Sequence, residues 1–260
     1  MRVLAVHPDV VVATSRVYQT TCTLVRRGDE AFCVDSPVLP DELELLPTVA
    51  GQSEFTVVGL LATHADWDHL LVRLAFPDAP LGVAESTAQV LKADPGGALR
   101  GLRDFDDEHY VRRDAPLALG TPQALPVPGH CGLGTDELEL LALGGHTPDG
   151  MAVWVPWASV LIASDHLSPV EIPMVGEEPG STGAYAATLE RLEPLVGRAE
   201  TVVPGHGEPL DAERALAILR EDRDYLRALA AEGAAAPLPP ARSTEAQRRV
   251  HAANAARAAA

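Results

Sequence analysis

The stretch Thr63-His64-Ala65-Asp66-Trp67-Asp68-His69 places four residues of metal-binding type within six positions. It follows the apolar run from Phe55 to Ala62, which is typical of a buried strand. The segment after it, Leu70 to Phe76, contains no helix-breaking residue and favours a helix. The cluster is therefore predicted to lie at the carboxyl end of a strand. Ligands at these spacings point in two directions, which favours a pair of adjacent metal ions over a single ion.

This turn resembles the signature of the metallo-β-lactamase fold superfamily, His-x-His-x-Asp-His, although the chain has Asp66 where that family usually has histidine. Three later residues resemble the other ligands of the family in the same order, and each follows an apolar run. Four matching segments in order, over about residues 20 to 210, make the resemblance specific. The later residues are His146 before Thr147-Pro148, Asp165 after Ile162-Ala163-Ser164, and His206 within Pro204-Gly205-His206-Gly207.

The resemblance implies an α/β fold, called α+β in some schemes, in which two sheets and two helical layers form a four-layer αββα sandwich. It also implies two metal sites that share one carboxylate. Imidazole and carboxylate ligands suit two divalent ions per chain, zinc above all, with iron or manganese as alternatives. The implied ligands are His64, Asp66 and His146 for one ion, Asp68, His69 and His206 for the other, and Asp165 between them.

The activity that the resemblance implies is that of a dinuclear metal-dependent hydrolase. In such an enzyme a metal-bridging hydroxide attacks an ester, thioester, lactone or similar small-molecule bond. Asp68 is the expected catalytic residue, because it can orient the nucleophile or relay its proton besides binding a metal. Two alternatives stay open. The hard oxygen ligand of Asp66 favours an iron-binding redox or oxygen-using protein, and a catalytically silent binding module would require further departures from the ligand pattern.

Five further residues are candidates for the surroundings of the metals. Superfamily members often carry an aspartate at the position of Asp35, although a turn-capping role before Pro37 fits the sequence equally well. His130 also lies in a Gly-His element, but His146 follows the better strand and is the preferred ligand. The other candidates are Trp67 within the metal turn, His166 beside Asp165, and Tyr185 on a helical stripe that by default belongs to the core.

Two loops are predicted beside the site. Residues 168–182 are rich in proline and glycine and include Glu171 and Met174, so this loop is the candidate for substrate selection. Residues 94–128 are compatible with a loop or lid. The acidic cluster within them has neither EF-hand nor helical ligand spacing, and is interpreted as a solvated face.

Composition limits the classes of function. A chain of 260 residues with 47% apolar residues provides the core of one domain. We expect this domain to span residues 1–231, followed by an Ala/Pro/Arg-rich tail over 232–260 that is weakly structured or marginally helical. A formal charge of -17 and a single lysine, Lys92, oppose binding to nucleic acid. A small-molecule substrate is therefore the expected partner, and the sequence leaves open whether the chain forms a homodimer.

The sequence shows no long apolar run that is typical of a membrane span, and its beginning lacks the pattern of a secretory signal. The three cysteines, Cys22, Cys33 and Cys131, have no CxxC spacing and are expected to be reduced thiols. These features predict a cytoplasmic enzyme without a membrane partner.

Overall fold

The computed structural model describes residues 1–258, and its strands form two sheets. In the seven-stranded sheet the strands follow chain order, antiparallel from β1 to β4 and parallel from β4 to β7. They are β1 (Arg2–His7), β2 (Val10–Thr14), β3 (Thr21–Arg27), β4 (Glu30–Val34), β5 (Thr56–Ala62), β6 (Leu81–Ala84) and β7 (Gln123–Leu125).

The second sheet has five strands in the order β12-β11-β10-β9-β8, and only its β11–β12 pair is parallel. Its strands are β8 (Gly129–Leu133), β9 (Asp136–Ala142), β10 (Met151–Val155), β11 (Val160–Ile162) and β12 (Thr201–Val203).

Helices cover the outer face of each sheet. Four helices lie on the seven-stranded sheet, namely α1 (Pro40–Gln52), α2 (Val72–Ala75), α3 (Glu85–Ala93) and α4 (Gly97–His109). Three lie on the five-stranded sheet, namely α5 (Ser181–Val196), α6 (Ala212–Glu232) and α7 (Glu245–Ala258). Among these described helices, none is both long and apolar enough to cross a lipid bilayer.

Three buried apolar cores separate the layers, and strand alternation explains them. Successive side chains of a strand point to opposite faces of a sheet. In β2, Val11 and Ala13 face the helices, whereas Val10 and Val12 face the other sheet. In β10, Val153 points into the core between the sheets and Trp154 points toward α5 and α6. The layers follow the order helices, sheet, sheet, helices, and one apolar core lies between each adjacent pair. This arrangement is the predicted four-layer αββα sandwich.

The carboxyl ends of β5, β11 and β12 and the β9–β10 connection meet at one edge of this sandwich. Backbone hydrogen bonds join the two sheets there, because Met151 N donates to Thr63 O (2.8 Å) and Thr21 N donates to Gly205 O (2.8 Å). Polar side chains placed on these strand ends therefore converge from both sheets. Open α/β sheets commonly bind ligands at such carboxyl ends.

Two segments differ from their predicted conformation. Within residues 94–128, helix α4 occupies 13 residues of the expected loop, and it buries Leu102 and Phe105 against the first sheet. Its acidic residues Asp104, Asp107 and Glu108 are exposed, in agreement with a solvated face. The helix expected over 70–76 is short, because a 3-10 turn at Trp67–His69 precedes the four-residue α2.

The segment expected to be a weakly structured or marginally helical tail is partly helical where the structure describes it, and it packs against the domain. Residues 245–258 form α7, and Ala236 and Ala255 join the apolar core beneath α5 and α6. Residues 259 and 260 lie outside the described range. The physical reason is a set of polar contacts with the backbone of the 168–177 loop. They come from Arg242, Gln247, Asn254 and Arg257, and bind Ser168 O, Glu171 O, Ile172 N, Pro173 O, Val175 N and Val175 O.

Candidate metal centre

The turn after β5 is held by hydrogen bonds from two directions. Ser36 Oγ donates to Asp68 O (2.8 Å) and accepts from Leu71 N (3.0 Å), which anchors the carboxyl half of the turn. Ala65 N donates to Asp149 Oδ2 (3.0 Å), which anchors the amino half. The 3-10 turn between these anchors brings Asp68 and His69 into the protein. The four ligand-type residues of the turn are therefore fixed before any ligand binds.

One group of candidate ligands consists of His64, Asp66, His146 and Asp165. Asp66 Oδ2 lies 3.5 Å from His64 Nε2 and 3.3 Å from His146 Nε2. Asp165 Oδ2 lies 3.5 Å and 3.2 Å from the same two nitrogens. Both histidines are buried, whereas the side chain of Asp66 is 47% exposed. Asp66, the departure from the family signature, thus lies among the other candidate ligands.

The second group consists of Asp68, His69 and His206. Asp68 Oδ2 lies 3.9 Å from His69 Nε2 and 3.7 Å from His206 Nε2. Asp165 contacts this group as well, because its Oδ1 lies 3.1 Å from His69 Nε2 and its Oδ2 lies 3.4 Å from His206 Nε2. The carboxylate of Asp165 therefore lies between the two groups.

The donor atoms of both groups fit divalent metal ions. A tetrahedral zinc site with bonds of about 2.0–2.1 Å separates its ligand atoms by about 3.4 Å, which is close to the distances above. These short distances do not correspond to hydrogen bonds. Four of the atoms are buried without a hydrogen-bond partner, namely His64 Nε2, His69 Nε2, His146 Nε2 and Asp165 Oδ1. Buried polar atoms of this kind are costly unless something binds them. One metal ion in each group would bind these atoms.

The other ring nitrogen of each histidine is held by the protein. His146 Nδ1 lies 3.1 Å from Met174 O, and His206 Nδ1 lies 3.0 Å from Tyr18 O. His69 Nδ1 lies 3.0 Å from Asp35 Oδ2, and His64 Nδ1 lies 3.1 Å from Thr63 Oγ1. The carbonyl acceptors of His146 and His206 keep the proton on Nδ1 of these two rings, which leaves their Nε2 lone pairs for a metal.

Without a metal, the carboxylates hold protons on these imidazoles. Burial and His69 lower the pKa of His64, but Asp165 and Asp66 outweigh them and raise it to about 9. Burial also lowers the pKa of His206, whereas Asp165 and Glu171 raise it to about 10. Burial alone would raise the pKa of Asp165, but His69, His206 and His64 hold it well below its usual value. The cluster therefore requires positive charge at its centre.

Metal binding is accordingly expected to release protons. A metal ligand must be a neutral imidazole, and with pKa values of about 9 and about 10, His64 and His206 are protonated at pH 7 when no metal is bound. Titration of zinc into metal-free protein at pH 7 should release more than one proton, and apparent affinity should weaken as pH falls. Calorimetry in two buffers with different ionisation enthalpies measures the number. Zinc binding without proton release at pH 7 would contradict these protonation states.

A cavity of about 210 Å³ opens onto the two groups. Tyr18 and Trp67 form one wall, where Phe105 of α4 packs with a ring-centroid distance of 4.9 Å from Trp67 and 5.7 Å from Tyr18. The loop after Asp165 forms the opposite wall with Ser168, Glu171, Ile172 and Met174. The predicted position of this loop beside the site is therefore seen in the structure.

The predicted surrounding residues lie in different places. Asp35 is buried and accepts hydrogen bonds from Thr63 N (2.8 Å) and Thr63 Oγ1 (2.9 Å) besides contacting His69. Trp67 and Tyr185 line the cavity, and Tyr185 Oη donates to Asp165 O (2.9 Å). His166 is buried with its ring centroid 4.4 Å from that of Tyr185, and burial lowers its pKa to about 3. It does not line the cavity.

The prediction that His130 lines the pocket is wrong. His130 lies in β8, paired with Glu139 of β9, and its side chain is exposed. The Gly-His pattern there belongs to an antiparallel hairpin rather than to a strand end at the metal edge. His146, in contrast, lies in the connection between β9 and β10 and belongs to the first ligand group.

Several residues that hold the site were not singled out from the sequence. Thr20 Oγ1 lies 3.5 Å from Asp68 Oδ2 and 3.4 Å from His206 Nδ1. Asp149 anchors the metal turn, and only its position three residues after His146 hints at a role. Gly205 is needed for space, because a Cβ atom there would collide with Asp165 Oδ1. These roles depend on contacts between residues far apart in the chain, which local patterns do not show.

Known proteins share this architecture. A metallo-beta-lactamase family protein from Thermus thermophilus superposes with a TM-score of 0.70 over 98% of this chain and 93% of its own, at 18% identity. The stereoselective inverting sec-alkylsulfatase Pisa1 from Pseudomonas sp. gives a TM-score of 0.73 over 98% of this chain and 49% of its own, at 16% identity. A metallo-beta-lactamase from Pontibacter korlensis gives 0.61 over 84% and 98%, at 19% identity. At such identities these likenesses show the fold alone.

The comparison with protein-family models identifies the family. The family model described as the metallo-beta-lactamase superfamily matches residues 15–206. That range contains all seven candidate ligands and both strands that carry the first and last of them. The match covers well over half of the chain, so the protein belongs to the metallo-beta-lactamase superfamily.

Proposed function

We propose that the protein is a dinuclear metal-dependent hydrolase that cleaves an ester, thioester, lactone or similar bond in a small molecule. The observation that carries this proposal is the position of Asp165, whose carboxylate lies within 3.5 Å of an Nε2 atom of all four histidines. A carboxylate shared by two groups of neutral nitrogen ligands suits two adjacent cations better than one.

Two divalent ions in these groups would polarise a scissile carbonyl and lower the pKa of a water between them to about 7. The protein's own residues perform the remaining tasks. Asp68 lies at the cavity wall, and its Oδ2 is within 3.5 Å of Thr20 Oγ1, so it can hold a proton from the attacking water. Tyr18 and Trp67 supply an aromatic wall of the cavity, while Tyr185 Oη donates to Asp165 O and holds the backbone of Asp165.

Zinc is the proposed metal for both groups. Histidine nitrogens and aspartate oxygens are ordinary zinc ligands, and the buried nitrogen pairs match its tetrahedral preference. Asp66 supports the second candidate function, an iron-binding redox or oxygen-using protein. Its oxygen lies as close to His64 and His146 as a direct ligand would, and oxygen-rich sites suit iron or manganese.

Elemental analysis of metal-replete protein, combined with a turnover panel, tests the proposal. We expect close to two zinc ions per chain, loss of hydrolysis with a strong chelator, and recovery with zinc. The panel contains a thioester, a lactone, a simple ester and a phosphodiester. One ion or fewer per chain would overturn the dinuclear proposal, whereas two iron ions with oxygen consumption and no hydrolysis would favour the redox candidate.

A matched pair of variants separates chemistry from folding. Asp68→Ala removes a residue that lies with His69 and His206, and should lower turnover by about 10²-fold or more. His130→Ala changes an exposed histidine on β8 and should leave turnover unchanged. Equal losses in the two variants would contradict the proposed role of Asp68.

A further inference from the structure

The backbone of Glu171 is held in the cavity wall, but its carboxylate is unpaired. Glu171 N donates to Ser168 Oγ (2.9 Å), and Arg242 Nη1 donates to Glu171 O (2.8 Å). Within residues 1–258, its side chain forms no hydrogen bond or ion pair, although it lines the cavity with Asp165 and His206. A carboxylate that lines a cavity on a held backbone and has no partner in the protein is available to a ligand.

The cavity lining is acidic. Its charged side chains, apart from the histidines, are all carboxylates, and no arginine or lysine of the described chain lines it. Arg242 does not supply the missing cation, because its side chain is fully buried and pairs with Asp222 and Glu221. The carboxylates are those of Asp66, Asp68, Asp165, Glu171 and Asp222.

The charge balance distinguishes Glu171 from the other acids. Asp66, Asp68 and Asp165 belong to the candidate metal groups, and Asp222 is paired with Arg242. With two divalent ions bound, the three ligand carboxylates and one hydroxide between the ions would balance the metal charge, so Glu171 would carry the charge that nothing in the site compensates. The loaded site would then offer an anionic substrate tail only Glu171, which repels it. An ammonium group, in contrast, would find an acceptor for a charge-assisted hydrogen bond.

We propose that Glu171 is a specificity-determining residue, which selects esters whose acyl chain carries a cationic amine near the scissile carbonyl and disfavours those that carry a carboxylate. This inference rests on the hydrolase activity proposed above. Ile172 and Met174, beside Glu171 in the cavity wall, supply apolar surface for the carbon chain that joins the two groups. In the reaction, water oxygen bonds to the carbonyl carbon, the ester C–O bond breaks, and the leaving alcohol takes up a proton.

Two isosteric esters test the proposal with the zinc-loaded full chain at pH 7. Phenyl β-alaninate ends in an ammonium group where phenyl butyrate ends in a methyl group. The readout is the ratio of their kcat/KM values, each divided by the rate constant for hydroxide-catalysed hydrolysis of the same ester. The wild-type ratio should favour the ammonium ester by about tenfold, the effect of one charge-assisted hydrogen bond in a half-open site. Glu171→Gln should reduce the ratio to about one.

Two further variants complete the test. Glu171→Asp keeps the charge and should keep a preference for the ammonium ester. Glu177→Gln changes an acid of the same loop that is 84% exposed and pairs with Arg257, and should keep the wild-type ratio. Folding and metal content of each variant are checked by circular dichroism and elemental analysis.

The outcomes separate the two proposals. Hydrolysis of both esters with a wild-type ratio near one, or an unchanged ratio in Glu171→Gln, overturns the role of Glu171 and leaves the hydrolase proposal intact. A folded, zinc-loaded Glu171→Gln variant that is inactive on both esters assigns Glu171 to the chemistry and also overturns the specificity role. Wild-type protein that binds two zinc ions but hydrolyses neither these esters nor the panel compounds overturns the hydrolase proposal itself.

Discussion

Asparagine in place of Asp165 is expected to lower kcat/KM by about 10³-fold or more and to leave the protein with fewer than two ions per chain. The side chain keeps its shape but loses the negative charge that lies between four histidines. Metal ions at a hydrolytic centre typically contribute several kcal/mol of transition-state charge stabilisation, and a loss of about 4 kcal/mol corresponds to a rate factor of about 10³. Elemental analysis and steady-state kinetics after zinc loading measure both effects.

The control for this variant is Asp104→Asn, which changes an exposed aspartate of α4 and should retain metal and activity. The variant also makes a second, independent prediction. Asp165 holds the pKa values of the metal-free histidines above their usual range, so their apparent pKa values should fall in Asp165→Asn. Histidine titrations followed by NMR report this change. Full metal content together with normal turnover would mean that Asp165 does not join the two groups.

The second large effect is expected for Arg242→Met. The guanidinium is fully buried, pairs with Asp222 and donates to Ser168 O (3.2 Å) and Glu171 O (2.8 Å). Its removal leaves the carboxylate of Asp222 buried without a partner, which typically costs about 3–5 kcal/mol in the free energy of unfolding. The same change frees the loop that carries Glu171, so kcat/KM should fall as well. Chemical denaturation and kinetics on one preparation measure the two losses.

The loss of stability should depend on pH. Burial raises the pKa of Asp222 to about 7 even though Arg242 opposes the shift, and removal of Arg242 raises it further. A carboxyl whose pKa is higher in the folded state contributes stability at low pH, and this contribution is lost as pH rises through the folded-state pKa. Arg242→Met should therefore be destabilised more at pH 9 than at pH 6. An equal loss at both values would mean that Asp222 is not the group left unpaired.

Two companion variants identify the cause. Asp222→Asn combined with Arg242→Met removes the unpaired charge and should recover part of the lost stability. Arg249→Met changes an arginine of α7 that is 77% exposed and pairs only with Glu245 four residues away, and should behave like the wild-type protein.

The candidate ligands could be predicted from the sequence for a physical reason, whereas the four layers were implied by the resemblance to the metallo-β-lactamase superfamily. Polar residues at the ends of apolar strands are conspicuous, and His64, Asp165 and His206 each follow a strand whose core contacts are purely apolar. The carboxyl ends of these strands lie at one edge of the sandwich, so a local sequence pattern predicts that residues far apart in the chain come close in space. The same argument fails for His130, because a Gly-His element in a hairpin looks locally like one at a strand end.

The conformation of residues 232–258 could not be predicted in this way. Few of its residues are large and apolar, so no helical stripe indicates a buried face. Instead, Gln247 and Asn254 are buried because their amides pair with backbone atoms that lie more than 70 residues earlier. Alanine-rich composition describes both a flexible tail and a helix that packs closely through small side chains. Only the partner loop distinguishes the two.

The contacts between this C-terminal segment and the 168–177 loop have a consequence for how substrate preference can change. Most of these contacts end on main-chain atoms of the loop, at Ser168, Glu171, Ile172, Pro173 and Val175, so they impose a path on the loop without requiring particular side chains. Substitutions at 171 and 174 can therefore alter what the cavity accepts while the loop keeps its shape, whereas Ile172 also packs in the core beneath α5 and α6. The C-terminal segment fixes the loop backbone and leaves the side chains at 171 and 174 free to vary, so these two positions are the place to begin a library of variants for new substrates.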